Sequence, residues 1–312
     1  MAGVTVSDEV LAKEFSAHRA HLIGVAYRLT STISDAEDAV QEAWLRLSGL
    51  DDARRAEIRD LRGWLTTVVG RICLDRLRSA AVQREKYVGP WLPEPVVTPY
   101  GAQPGDDPLE TVVRDEQVRM AALVVLDNLT PEQRVAFVLH DAFSVPFSEI
   151  AEILGVTEST ARQHASRGRR AAAEAEKPDH TDLGAQRELV EKLLGAILSG
   201  NLNGVVELLH PEAVLIGDSN GKARTSRRRM VGADKISRFL AGLVEMYGAH
   251  RLIQGELVLV NGDIGMAIPA RPAEDGLWAL DRRVMSFDVQ GGRVSRIYDI
   301  VNPDKLTHLS LE

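Results

Sequence analysis

Residues 147–172, FSEIAEILGVTESTARQHASRGRRAA, read as a helix, a tight glycine turn and a second helix. At a helical period Ala161, Ala165, Gly168 and Ala172 recur at i, i+4, i+7 and i+11 and share one narrow arc. Arg162, Gln163, Ser166, Arg167, Arg169 and Arg170 fall on the opposite side. A helix that is small inside and rich in forked donors outside suits a DNA major groove. Arginine pairs with guanine bidentately or grips phosphate, and glutamine pairs with adenine. Thr157 stands where an N-cap is needed, and the free amides at that end can hold a phosphate. In the first helix Ile150, Ile153 and Leu154 form an apolar stripe and Ala151 permits close approach. Gly155 suits a turn that needs positive φ. A solvated basic helix would need no such partner. The two halves together predict a helix-turn-helix.

The chain has 312 residues, enough for about two domains or three small ones, and 45% of them are hydrophobic, ample for packed cores. Cys73 is the single cysteine, which excludes an internal disulfide and a multi-cysteine zinc site and fits a reducing compartment. The N-terminal MAGVTVSDEV has no basic segment followed by an apolar run, and no stretch approaches the length of a membrane helix. A soluble, cytoplasmic protein with no membrane partner is expected.

The net charge of −8 opposes DNA binding in bulk, but the charges are unevenly placed. Residues 158–170 carry Arg162, Arg167, Arg169 and Arg170 against Glu158 alone. Residues 71–86 carry Arg71, Arg76, Arg78, Arg84 and Lys86 against Asp75 and Glu85. Acids gather at Asp35, Glu37, Asp38 and Glu42, and again from Glu94 to Glu116. Local basic faces on an acidic body predict weak DNA binding unless a larger partner assists.

Residues 8 to about 86 read as helical, with apolar stripes at Leu22, Val25, Ala26 and Leu29, at Val40, Ala43, Trp44 and Leu47, and at Leu61, Leu65, Val68, Val69 and Ile72. Trp44 and Trp64 are assigned to the core. Residues 88–108, VGPWLPEPVVTPYGAQPGDDP, hold prolines at 90, 93, 95, 99, 104 and 108 and should run extended. Helical periodicity returns over 109–177, with Thr130-Pro131-Glu132-Gln133 as an internal helix start. Beyond Lys177-Pro178-Asp179 the pattern changes. Helices are expected at about 183–199, 202–209 and 232–247, with a short strand at 213–217. Strands are expected at 251–260, 263–270, 279–289 and 293–301, separated by Asn261-Gly262, Ala273–Gly276 and Gly291-Gly292. That order describes an α+β domain with an antiparallel sheet.

At this point the chain resembles a known family. DAEDAVQEAWL at 35–45 is similar to the region 2 helix of σ70-type sigma factors that engages RNA polymerase. LRGWLTTVVGRICLDRLR at 61–78 resembles the following helix, which faces the −10 promoter element, and the helix-turn-helix resembles region 4, which reads the −35 element. A proline-rich linker as the only connection matches the extracytoplasmic-function subclass. WLPEP at 91–95, DSNGK at 218–222 (a variant of DGGGK differing at two positions) and NPDKL at 302–306 occur together in members that carry a C-terminal SnoaL-like domain of the NTF2-like fold.

The resemblance implies a multidomain chain: region 2 over 1–87, linker 88–108, region 4 over 109–177 and an NTF2-like cone over 178–312. It implies core RNA polymerase and promoter DNA as partners, with the fused domain standing in for a separate anti-sigma protein. Asp35, Glu37, Asp38, Gln41 and Glu42 become the polymerase face, since an acidic and amide-bearing helix can pair with basic groups. Arg71 and Arg78, seven apart, share a helix face and reach phosphates together. Bases of the −10 element are expected against the segment at about 48–62. Regulatory contacts are expected at Trp91, Leu92, Pro93, Glu94 and Pro95, at Asp218 and Lys222, and at Asn302, Pro303, Asp304, Lys305 and Leu306. A hydrophobic seat for Trp91 is expected among them.

Lys222, Arg224, Arg227, Arg228 and Arg229 make a further basic cluster. Asp218, His250, Asp263, Asp281, Tyr298 and Asp299 could serve an enzyme, but no HExxH, nucleophile elbow, metal spacing or paired carboxylates accompany them. No catalysis, cofactor or metal is expected. The alternatives are a one-component DNA-binding regulator with a ligand-sensing pocket, and an NTF2-like enzyme with an appended DNA-binding region.

Overall fold

The computed structural model describes residues 6–84, 86–101, 119–175 and 182–309. The expected restart of helix over 109–118, the end of the linker and the Lys177–Asp179 break lie outside them. The chain divides into two compact units. One contains 6–84 and 122–175, and the other contains 86–101, 119–121 and 182–309. The two helical regions thus form one unit, and the described linker belongs with the C-terminal unit instead of standing apart.

The first unit begins with α1 (Val6–Thr30), α2 (Ile33–Ser48), the short α3 (Asp52–Ala56) and α4 (Leu61–Arg84). The expected stripes meet in its core: Leu22, Val25, Leu29, Val40, Ala43, Leu65 and Val69 are buried. Trp44 and Trp64 are only half-buried, against expectation. Trp44 lies at the edge of its stripe, where Phe15 covers one face at 5.1 Å between ring centroids. Next come α5 (Met120–Asp127), which belongs to this unit from Ala122 on, and α6 (Pro131–Phe137). Thr130 and Gln133 close a reciprocal capping box at the start of α6.

A single π-helical turn, Val138–Ala142, leads to α7 (Phe147–Leu154) and α8 (Glu158–Glu174). Gly155 ends α7 at φ 67°, and the Thr157 hydroxyl accepts from the Thr160 amide at 3.2 Å. Ala161, Ala165 and Gly168 are buried on the inner side of α8. A methyl group at Gly168 would stand 2.7 Å from Phe137 Cβ, so glycine is what lets α8 approach α6.

In the second unit α9 (Leu183–Leu198), α10 (Leu202–Leu208), α11 (Ala233–Tyr247) and α12 (Ala249–Leu252) pack against a seven-stranded sheet. Its strands are β1 (Val97–Pro99), β2 (Leu209–Asp218), β3 (Met230–Val231), β4 (Glu256–Val260), β5 (Asp263–Ile268), β6 (Arg283–Gln290) and β7 (Arg293–Ile300). They run in the order β1-β4-β5-β6-β7-β2-β3. Asn261-Gly262 and Gly291-Gly292 all have positive φ, as two-residue hairpin loops require.

Three expectations need correction. The sheet is mixed, because β2 runs parallel to β7. Residues 251–255 close α12 and turn before β4, and β6 starts only at Arg283. The linker is extended as expected, but it also adds β1 to the edge of β4, with Val97 opposite Val260. Pairing at that edge satisfies linker amides that coil would leave to water.

Candidate nucleic-acid interface and linker anchor

All six polar residues expected on the outer side of α8 are exposed. Gln163, Ser166 and Arg167 make no hydrogen bond or ion pair with described residues. Arg162 pairs with Glu158 at 2.9 Å and stacks over Phe147, and Arg170 pairs with Glu174 at 2.6 Å. Arg169 is held differently: its guanidinium donates twice to Asp141, both at 2.9 Å, bracing α8 on the π-helical turn. The free donors therefore centre on Gln163 and Arg167. Replacing Arg167 by alanine should weaken −35 binding by about 1–3 kcal/mol, the cost of a lost base contact. Gel-shift titration against −35 variants checks this, and loss of discrimination at one base pair is the expected sign.

Arg71 and Arg78 do lie on one side of α4, but there they meet carboxylates. Arg71 stands 3.6 Å from Glu152 of α7, and Arg78 donates to Glu132 of α6 at 3.0 and 3.2 Å. Thr67, one turn earlier, donates to Glu149 at 3.1 Å. Gly70 faces Leu139 and Ile153, which a methyl group would approach to 3.1 and 3.3 Å. In this arrangement α6 and α7 cover the side of α4 that carries Arg71 and Arg78.

Arg134 of α6 fastens that helix to the C-terminal end of α1, a contact that the sequence does not announce. Its side chain is 1% exposed, donates to the Arg28 carbonyl at 2.9 and 3.1 Å, and also bonds Ser31 and Asp127. The Arg28 carbonyl is one of those a helix C-terminus leaves unpaired. The remaining signal was weak, since Arg134 looks like any charged residue in a short helix.

On α2, Glu37, Asp38 and Gln41 are exposed and Glu42 is half-buried beside Arg46 at 2.6 Å. Asp35 is half-buried and accepts from Thr32 at 2.6 Å and from Arg76 at 2.9 Å, so it holds α2 to α4. Arg76 also reaches Asp38 at 3.5 Å.

The three short motifs converge on one carboxylate. Asp218, 0% exposed at the end of β2, accepts from the Leu92 amide at 2.7 Å and from Lys305 Nζ at 2.7 Å. The Tyr87 hydroxyl donates to its other oxygen, and Asn302 donates to Tyr87 at 2.8 Å. Lys305 Nζ also bonds the Leu92 carbonyl and lies 3.8 Å from the centre of the Trp91 ring. Leu92, Pro93, Glu94 and Pro95 are buried, with Glu94 3.0 Å from His308.

Trp91 is half-buried under a cation, so the expected hydrophobic seat belongs to Leu92 instead. Asn302 caps the turn Pro303–Lys305, which puts Lys305 and Leu306 inside and leaves Pro303 and Asp304 exposed. Lys222 pairs with Asp304 at 2.5 Å.

Most of the residues considered for catalysis have structural partners, and His250 is exposed. Asp263 accepts from Gln186 at 3.1 Å, Asp281 from the Arg224 amide at 3.2 Å, and Asp299 from Thr225 at 2.5 Å. Among the described residues no group of three His, Cys, Asp or Glu side chains could hold a metal ion. Tyr298 donates to Asp288 at 2.8 Å, and burial pushes that carboxyl from its ordinary 3.8 up to about 6. A carboxyl raised on folding contributes stability that is complete below its unfolded value and lost as pH rises through about 6. The variant Asp288→Asn should remove a loss of order 3 kcal/mol between acid and neutral pH. Urea unfolding at both pH values, compared with the unaltered chain, checks it.

Comparison with known proteins agrees with this geometry. The Sigma-70 region 2 family profile matches residues 15–82, and the Sigma-70 region 4 profile matches residues 119–171. The chain is 51% identical over 299 residues to the ECF RNA polymerase sigma factor SigJ of Mycobacterium tuberculosis, covering 94% of this chain and 92% of that one. It is 30% identical to a probable ECF sigma factor, SigI, of the same species, covering 95% and 94%. The crystal structure of Mycobacterium tuberculosis SigJ superposes with a TM-score of 0.81 at 48% identity, over 96% of this chain and 100% of that one. A region 2 match leaves the one-component regulator without support, and no helix among the described residues is long and apolar enough to cross a membrane. The chain belongs to the extracytoplasmic-function RNA polymerase sigma factors and carries a C-terminal SnoaL-like domain: it is an alternative sigma factor that directs transcription initiation.

Proposed function

We propose that this sigma factor carries its own regulator, and that the C-terminal domain acts by holding the linker rather than by turning over a substrate. Asp218 is the observation that carries the reading, because one buried carboxylate bonds the linker backbone, Tyr87 and Lys305 together. A linker gripped over Tyr87–Val96 has less freedom to set the distance between the two promoter-reading regions. Promoters of different spacing would then be used unequally.

In this reading Gln163 and Arg167, with Arg162, Ser166 and Arg170, read the −35 element, and Arg169 positions α8. Arg71 and Arg78 bind phosphates near the −10 element once the carboxylates of α6 and α7 have left them. Glu37, Asp38, Gln41 and Glu42 dock on core polymerase. The protein works in the cytoplasm, needs no cofactor and has no separate anti-sigma partner. Run-off transcription by the full chain and by 1–301, at equal polymerase loading, tests the regulatory part. Removing 302–312 takes away Lys305, and a several-fold change in transcript yield is expected. Equal yields would refute regulation through the linker.

A further inference from the structure

We propose that the C-terminal unit carries its own binding site for an unpaired DNA strand, formed by the basic loop at 222–229 and the exposed ring of Trp278. The segments 221–227 and 273–281 bound an open surface cleft of about 870 Å3. None of the residues lining it belongs to the apolar core between the helices and the sheet. The first segment supplies Lys222, Arg224 and Arg227 to the cleft, and the second supplies Trp278 with Glu274, Asp275 and Asp281.

The charge of the loop is unusual for this chain. Acidic residues outnumber basic ones, 45 to 37, yet 222–229 carries Lys222, Arg224, Arg227, Arg228 and Arg229 with no acid among them. Surface arginines elsewhere, such as Arg46, Arg187 and Arg238, each hold a carboxylate one helical turn away. Arg227, Arg228 and Arg229 are exposed, and their guanidinium groups have no carboxylate or hydrogen-bond partner among the described residues. Like charges crowded in this way repel until an anion of several charges lies along them.

Trp278 is the second, independent feature. It is 51% exposed although the Arg224 guanidinium lies 3.5 Å from its ring centre. Both halves of that stack are fixed through their backbones. Arg251, 2% exposed, donates to the Trp278 carbonyl at 2.9 Å and to the Pro272 carbonyl at 2.7 Å. The Trp278 amide donates to the Met246 carbonyl at 3.1 Å. Arg283, 1% exposed, donates to the Arg224 carbonyl at 3.1 Å, and the Arg224 amide donates to Asp281 at 3.2 Å. Two buried arginines thus hold a tryptophan and a guanidinium out in water, where a large apolar ring is costly unless a partner covers it.

An aromatic ring stacked with a guanidinium takes a nucleobase, and a row of arginines beside it follows a phosphate backbone. Duplex DNA offers the phosphates but keeps its base faces covered by their neighbours, so the two features together select an unpaired strand. A single nucleotide would answer Trp278 and leave most of the five cations unmatched. Glu274, Asp275 and Asp281 repel phosphate, which places the backbone along 222–229. Transcription initiation supplies such a strand, because it opens the duplex.

The test is fluorescence anisotropy of a labelled oligothymidylate of about twelve nucleotides titrated with the full chain, beside the same strand paired with oligoadenylate. Trp278→Ala should weaken binding of the single strand about tenfold and leave the duplex unchanged, and Trp278→Tyr should recover most of the loss. Changing Arg227, Arg228 and Arg229 together to alanine should lower the slope of log affinity against log salt by about 2 for the single strand. All four side chains are exposed, so these variants keep the fold. Single-strand binding that is absent from the unaltered chain, unchanged in either alanine variant, or lost in step with duplex binding in Trp278→Ala would overturn the proposal.

Discussion

Replacing Asp218 by asparagine is expected to lower the stability of the C-terminal unit by about 3–5 kcal/mol, the usual consequence of removing one partner of a buried ion pair. Lys305 is only 7% exposed, and the variant takes from its ammonium the carboxylate 2.7 Å away while the Leu92 carbonyl and the Trp91 face remain. The Leu92 amide still finds an oxygen on asparagine, so the damage is electrostatic more than geometric. Adding Lys305→Met should recover much of the loss, because a neutral pair leaves no charge stranded. Urea unfolding of the four proteins in that cycle gives the coupling directly. Limited proteolysis adds the local reading, with cleavage in 86–101 rising sharply in Asp218→Asn and little in the double variant. A coupling near zero would mean that the three motifs merely lie close together.

The second large effect is expected where α4 meets region 4. Glu132, Glu149 and Glu152 occupy Arg78, Thr67 and Arg71, so the helix cannot offer those groups to a phosphate backbone while they are paired. Arg71 and Glu152 are both substantially exposed, and exposed pairs contribute only about 0.2–1 kcal/mol each. Changing all three glutamates to glutamine should shift the balance by about 1–2 kcal/mol, roughly 5- to 30-fold in favour of the uncovered helix. The free protein should then bind a −10 oligonucleotide more tightly by that factor. Arg71→Ala with Arg78→Ala should abolish the gain. Unchanged binding in the triple variant would show that this side of α4 does not meet DNA.

Much of this was legible in the sequence because the signals were local. The α8 arc of small residues, Gly155 and Thr157 are neighbours in sequence and in space, so a helical period and turn chemistry sufficed. The stripes of α1, α2 and α4 were equally plain, failing only at Trp44 and Trp64, where large rings sit at the rim of the core. What depended on distant pairing was not legible. β1 is three residues ending in a proline, and nothing in Val97-Thr98-Pro99 announces that β4 lies beside it. The parallel pairing of β2 with β7 joins segments some eighty residues apart in the chain. Arg134 and Asp218 look like solvent-facing charges until their partners at 28, 92 and 305 are in place. The motifs were correctly grouped, but the buried residue among them proved to be Leu92, with Trp91 half-covered by an ammonium.

The proposed function has the C-terminal domain governing promoter choice through its hold on the linker. Its most direct test is run-off transcription from a set of promoters whose −10 to −35 spacing differs by single base pairs. The unaltered chain and Asp218→Asn are compared at equal core loading, with Asp218→Asn/Lys305→Met as the restored control. A narrow spacing optimum is expected for the unaltered chain, a broader or displaced one for Asp218→Asn, and a return towards the original for the double variant. Superimposable profiles for all three proteins, with the asparagine variant folded and bound to polymerase, would contradict the account.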